Sequence, residues 1–452
     1  MSSGVSVVFV GFGAVARAAW RVGSAALGWD PRDAVAIDPS PDAREAARAE
    51  GIEARAAAVS SMNFRELLAP LLSPRSLLVN LAIDVESADL IELARAEGAL
   101  YIDADVFLWA ERFDRGADPT LARARAELLA RIPKGGSQPT ALVAHGANPG
   151  LASHWAMAGL LSLGREYGLI EDAPHARAGW ARLAAQLGVR VVQIAERDHG
   201  VHSDRQGVFC NTWSVQGLAR EAMQPGELGW GSHEAAPPPG ALLEFSPGAR
   251  SCALPRPGHS CRVKSWTPLG GHGNAWAITH LESIGLRAAL FDRATGYAPT
   301  CYYAYQPSAP AARGLDALAR GAWSMGGPQW VAEGGQVEGV DELGVLLLGE
   351  RFGSLWIGSR LDSATARALA PGCSATVLQV AAGLVAGAGW IQDNPSLGLL
   401  EPEDLSSWEI LKRARPWIGP DFEVRSPMVE PLDAPAESLR EDDMRFSRFL
   451  LD

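Results

Sequence analysis

The feature that most restricts the fold lies at the start of the chain. There "VSVVFV" (residues 5–10) runs directly into Gly11-Phe12-Gly13-Ala14-Val15-Ala16, and "RAAWRVGSAAL" follows at helical spacing. A short β-branched run reads as a buried strand. A G-x-G-x-x-A turn between strand and helix suits a dinucleotide: the first Gly allows the tight turn, the second lets the backbone approach a pyrophosphate, and a small third residue lets helix and strand pack closely. The phosphates then sit at the helix N-terminus, where free N–H groups and the dipole favour anions. Asp38 ends the next strand-like run, "AVAID", where a carboxylate can meet ribose hydroxyls, a placement that favours NAD over NADP. Gly11, Phe12, Gly13, Ala14, Val15 and Asp38 are therefore the expected cofactor-binding residues. The plainer alternative is a glycine-rich turn in a non-binding α/β domain.

Strand and helix patterns keep alternating through "SLLVNLAID" (76–84), "LYIDADV" (100–106) and "TALVAHG" (140–146), which predicts a parallel sheet covered on both faces. With 452 residues the chain exceeds one ordinary core. The fold class expected is α/β: a Rossmann-type domain over residues 1–150, then a second, α+β domain over 151–425. Its last helices are placed to pack back on the first domain. Residues 426–452, with mixed charges and three Pro, read as a tail that frays, and the Pro- and Gly-rich stretch before "SCRVKSWTP" reads as loops. "ATVLQVAAGLVAGAGWI" is Gly- and Ala-rich and holds a Gln, so it reads as a buried helix rather than a membrane span.

The formal charge of -12 argues against nucleic acid as the main partner and is compatible with a cationic small substrate. Five scattered cysteines form no CxxC pair, and the N-terminus lacks a signal-peptide pattern, which together point to the cytoplasm. Neither HExxH spacing nor a G-x-S-x-G elbow occurs, so no metal site is expected.

Several stretches are more specified than packing requires. "HGANPG" places Asn148 at the end of a strand, where open parallel sheets bind ligands. "IAERD" sets Glu196 on an apolar strand, with an Arg–carboxylate core pair as the plainer reading. "NTWSVQGLARE" holds Trp213 and Glu221, "ELGWGSHE" adds Glu227, Trp230 and Glu234, and "AITHLES" holds His280 and Glu282. Singly, a Trp is more often core and a Glu more often surface. Together, an indole face and several carboxylates suit an organic cation, through charge-assisted hydrogen bonds and cation–π attraction.

These residues also carry a resemblance. "GFGAVA", "LLVNLAIDVESADLIELARAEGALYID", "HGANPGLASH", "IAERD", "NTWSVQG", "QPGELGWGSHE", "AITHLES", "TGYAPTCYYAYQP" and "GVDELGVLLLGERFGSLWIGSRLD" run in the order seen in bacterial homospermidine synthases, a branch of the saccharopine-dehydrogenase-like enzymes. The resemblance implies tightly bound NAD, a homodimer, and a reaction that joins two diamines. Putrescine is oxidised to an imine, ammonia is lost, a second amine condenses, and the stored hydride reduces the new imine. It implies catalytic roles for Trp213, Glu196, Glu221, His280 and Asn148, the last also near the cofactor. It places Asp84, Asp341 and position 107 along the amine site and gives substrate binding and dimerisation to the second domain; Glu282 is a further expected substrate-binding residue, and Trp230 and Glu234 are expected to shape the neighbouring loop. Two departures bear on substrate. The family's "YIDTVVEPW" is "YIDADVFLW" here, so Phe107 replaces a glutamate and Leu108 a proline, although Asp105 lies two residues upstream. The family's "YxYHP" ends in Gln306 in place of His. The alternative is an imine reductase like saccharopine or carboxynorspermidine dehydrogenases, using free NAD(P)H. A non-catalytic amine-binding scaffold is the third reading.

Overall fold

The computed structural model describes residues 6–113, 120–246 and 249–451; Val5 of the first predicted strand lies outside them, as do Asp118 and Pro119 of "DPTLARARAELLARI", whose sequence predicts a helix. Six parallel strands, β1 (Val7–Val10), β2 (Ala34–Ile37), β3 (Glu53–Arg55), β4 (Leu77–Asn80), β5 (Leu100–Asp103) and β6 (Ala141–Leu142), stand in the order β3-β2-β1-β4-β5-β6. Val7 and Phe9 pack on one face with Phe12, Trp20 and Trp29, while Val8 and Val10 pack on the other with Leu78, Ile91 and Tyr101. Burial on both faces explains why the strand is apolar throughout instead of alternating. The order reverses between β1 and β4, and ligands of such sheets bind in the crevice at that point. A seventh parallel strand, Leu399–Leu400, returns from far down the chain to pair with β6.

The second domain is built on a mixed sheet. β7 (Val189–Asp198) lies parallel to β14 (Thr300–Gln306) on one side and antiparallel to β16 (Val340–Gly349) on the other; β17 (Gly353–Asp362) and Phe422–Ser426 follow beyond β16. Beyond β14 come β9 (Pro225–Gly229), β11 (Ala249–Pro257) and β10 (Leu242–Ser246), with β13 (Gly271–Ile278) and β12 (Arg262–Thr267) branching off. β8 (Phe209–Asn211) and β15 (Gln329–Val331) pair separately.

Two expectations are corrected. The Pro- and Gly-rich stretch is largely strand. β11 pairs with both β9 and β10, with Cys252 and Leu254 buried, and its prolines fall where the β9 register shifts, a position that tolerates a missing N–H. Of residues 426–452, read as a tail, the described residues 426–451 are tied into the core. Met428–Val429 pairs with Ala434–Pro435, Leu450–Leu451 pairs with β12, and Val429, Met444, Phe446 and Phe449 are buried. A few well-placed apolar side chains outweigh the segment's polar composition.

The helix Ala375–Asp393 packs against both the helix Ala14–Leu27 and the helix Ser407–Ile418. Its glycines permit this closeness: a Cβ on Gly383 would lie 1.9 Å from Gly146 O, in the turn that carries Asn148.

Candidate active site

β7 and β14 run side by side with Tyr305 in register with Glu196. Residues two apart in a strand share a face, so Tyr303 and Tyr305 both flank the glutamate. Tyr303 donates its hydroxyl to Glu196 Oε2 at 2.5 Å, and Asn148 Nδ2 donates to the same oxygen at 2.6 Å. Asn148 reaches across from the first domain because the chain after β6 turns tightly: Gly146 N donates to Pro149 O at 2.6 Å. Gly150 completes that turn at φ 131, where a Cβ would meet Gly146 O at 2.3 Å, so only glycine fits.

Aromatic rings form one continuous wall. The Tyr303 and Tyr305 rings stack at 5.5 Å, His280 lies 4.5 Å from Tyr303, and Trp213 Nε1 donates to the Tyr305 hydroxyl at 3.2 Å. Opposite β7, β16 sets Asp341 in register with Asp198. Asp341 accepts from Thr376 Oγ1 at 2.5 Å; Asp198 accepts from Gly200 N and Thr212 Oγ1.

The acids here are buried and repel one another. Glu196 is 2% exposed, and burial pushes its carboxyl up to about 7 against the pull of its two donors. Burial, with the negative charge of Glu196 and Asp198, holds Asp341 well above the carboxylate range. Burial, then the charge of Asp105 and Glu196, does the same to Glu221. Burial drops His280 to about 3, so its imidazole is neutral at physiological pH and adds no repulsion.

The glycine turn fits a dinucleotide. Gly11 has φ 85, and a Cβ there would press on Ala82 N at 3.0 Å. Gly13 precedes the helix Ala14–Leu27, whose start has no side-chain cap and no acidic residue in its first turn; a Cβ on Gly13 would meet nothing within 4 Å. The helix start therefore opens onto free space with its N–H groups available for phosphate. Asp38 is fixed just beyond β2 by Phe12 N at 2.7 Å and Ser40 N at 2.8 Å.

Residues 7–137 match the saccharopine dehydrogenase NADP binding domain, and residues 146–418 match the saccharopine dehydrogenase C-terminal domain. Homospermidine synthase of Blastochloris viridis is 38% identical over 428 residues, covering 92% of this chain and 90% of that protein. The Mesorhizobium japonicum enzyme of the same name is 36% identical over 433 residues, covering 92% and 89%. This chain belongs to the homospermidine synthase family. A crystal structure of homospermidine synthase from Legionella pneumophila in complex with NAD matches with a TM-score of 0.90 at 32% identity, covering 100% of this chain and 98% of that one. Saccharopine dehydrogenase from Saccharomyces cerevisiae shares the fold, with a TM-score of 0.50 at 11% identity.

Within this family member the expected residues separate into two groups. Trp213, Glu196, Asn148 and His280 converge on the aromatic wall, with Asp341 and Glu221 within electrostatic reach of Glu196. Asp84 instead holds φ 62 and accepts from Arg220 Nη2 at 2.5 Å, so its charge is already paired. Glu282 Oε1 accepts from Gly150 N, Ser153 N and Ser153 Oγ, capping the helix Leu151–Glu166. Ser153 Oγ also lies 2.8 Å from Glu403 Oε1, and its single proton is shared between the two carboxyls. Glu282 therefore supports the turn that carries Asn148. Phe107 is half-buried beside Asp105 and Glu221 on a shared cavity. The chain leaves β5 after Asp103, so strand alternation does not explain that pairing; the loop does.

Glu234 accepts from Thr300 Oγ1 and Phe446 N, Glu227 from Leu121 N and Ala122 N, and Trp230 is core. Arg197 donates to Gly270 O, so the Arg–carboxylate alternative for Glu196 fails. Gln306 lies over Gly273, where a Cβ would touch its Oε1 at 2.1 Å. Strand alternation puts it on the face of β14 opposite Tyr305, so this departure is not an amine contact. Tyr303, Tyr305 and Thr376 escaped sequence reasoning. Tyr-x-Tyr spacing in a strand was the available signal for the first two.

Proposed function

We propose that this protein is an NAD-dependent homospermidine synthase that joins two diamines, putrescine or a close relative. The observation that carries the reading is Glu196: a buried carboxyl held by Tyr303 and Asn148, beside an aromatic wall, among acids that a bound ammonium would relieve. NAD, when bound at the glycine turn, supplies the hydride acceptor for the first half of the reaction and returns the hydride in the second. Gly11, Phe12, Gly13, Ala14, Val15 and Asp38 would hold it.

The chain's own residues handle protons and positive charge. A protonated amine cannot release hydride from its neighbouring carbon, so a base must first take a proton. Glu196 is placed for this, with both donors on Oε2 and a carboxyl near neutrality. The iminium left behind is stabilised by the faces of Trp213 and the tyrosines and by the nearby carboxylates. A second amine then adds to the iminium carbon, and the first nitrogen takes up a proton and leaves as ammonia. Glu196 is the group that can carry that proton. Neutral His280 can hydrogen-bond the reacting nitrogen without opposing the cation. The resemblance extends the proposal to a homodimer in the cytoplasm that retains its NAD.

Incubating the purified protein with putrescine tests this. Homospermidine and ammonia without NADH accumulation support it. NAD(P)H turnover in proportion to product would replace it with an imine reductase. Such an enzyme needs a basic anchor for a carboxylate, and the arginine bordering the cavity, Arg220, is paired with Asp84.

A further inference from the structure

The loop Asp105–Leu108 and the helix Val215–Met223 border a small cavity of about 20 Å³, room for one water-sized group; Gly217 in its lining sits against Trp213 of the aromatic wall, where a Cβ would lie 3.1 Å from the ring. Phe107, Leu108 and Leu121 make one side of it apolar. Three acceptor groups border it. Asp105 accepts one hydrogen bond, at 2.8 Å, from the N–H of its neighbour Val106. Glu221 comes from the helix. Gln224 is 9% exposed, and its Oε1 is buried without a partner. Among the described residues neither Asp105 nor Glu221 is in an ion pair, and Arg220 on the same helix turns to Asp84.

Three acceptors beside an apolar wall call for a ligand with several N–H donors on an alkyl stem. A primary ammonium has three donors and no acceptor. We propose that Asp105, Glu221 and Gln224 form the subsite for the far ammonium of the diamine, with its methylenes lying along Phe107. This rests on the diamine reading above. It assigns the anchor to Asp105, a position where the family resemblance has valine. The carboxyl missing at Phe107 has in effect moved two residues upstream, while Asp84 pairs with Arg220 through one of its oxygens. Burial supports the assignment, lifting Asp105 to about 7 and Glu221 well above its ordinary value, a cost that a bound cation removes.

Calorimetric binding of 1,4-diaminobutane and of 1-aminobutane, which lacks the far ammonium, tests the subsite independently of turnover. The wild type should prefer the diamine by at least about tenfold. Asp105→Asn should weaken diamine binding roughly 10- to 100-fold and change 1-aminobutane binding by less than about threefold, as expected for loss of one charged hydrogen bond. Equal wild-type affinity for the two amines, an equal loss for both in D105N, or no loss for the diamine overturns the assignment. Should D105N not fold, Phe107→Glu adds a carboxylate to the same wall and should raise the diamine preference; an unchanged or lowered preference refutes the subsite. Failure to form homospermidine with the diamine preference intact would sink the synthase reading and leave the subsite standing.

Discussion

Replacing Glu196 with glutamine keeps the shape of the side chain and its Tyr303 donor while removing both charge and base. Tyr303 can still donate to the amide oxygen, and the aromatic wall is untouched. General-base catalysis supplies about 10²- to 10⁴-fold, so the first hydride step should slow by that factor. Single-turnover appearance of reduced nicotinamide after mixing with putrescine reads it directly. In the wild type this rate should rise with pH through about 7 as Glu196 ionises; in E196Q that limb should vanish. Stability should move the other way. A carboxyl raised from 4.5 to about 7 binds its proton more tightly when folded, so the stability it contributes is present below pH 4.5 and lost as pH rises through 7. The ionised glutamate thus costs the free folded protein about 3 kcal/mol, to order of magnitude, at alkaline pH. The variant should therefore be slower yet more stable than wild type at pH 8 in the absence of amine. A rate within threefold of wild type, or an unchanged pH limb, would refute the assignment of the base.

Trp213→Phe keeps a ring beside the iminium and should retain much activity, losing mainly the bond to Tyr305; Trp213→Ala should lose about 2 kcal/mol of cation stabilisation, some 30-fold in kcat. Equal kcat in the two variants would remove cation–π from the mechanism. Gly11→Ala forces a side chain to φ 85 and against Ala82 N, so the purified protein should carry far less nucleotide, measured after denaturing release. Glu196 and Asp105 both titrate near 7 from burial, so 1,4-diaminobutane should raise Tm more at pH 8 than at pH 6; a shift independent of pH would count against ammonium as the ligand.

The first domain was legible because its signals are local: buried runs, a glycine turn and an acidic strand end all fall within short windows. The second was less so because its partners are distant in sequence. β10 and β11 hide behind prolines that sit at a register shift, and Phe446 and Phe449 look like stray aromatics until they meet Tyr302. In the site, residue type identified Trp213 and Glu196 as unusual, but not what Glu282 touches. A carboxylate that caps a helix and one that binds an amine look alike in a sequence. Only Gly150 N and Ser153 N, far from Glu282 along the chain, separate the two roles.

The helix Ala375–Asp393 acts as a common beam for the two halves. It packs on the helix that starts at the glycine turn, and at its own beginning Thr376 holds Asp341, in register with Asp198. The strand that follows closes the edge of the first sheet. The halves are therefore laced together rather than hinged on one linker, and wide parting of cofactor from amine would require unpicking both attachments. On the proposed reading, amine and ammonia would exchange past Phe107 and Arg220, which border the cavity, rather than through an opening hinge. An enzyme that stores a hydride between two half-reactions gains from a door in the wall rather than a lid that lifts.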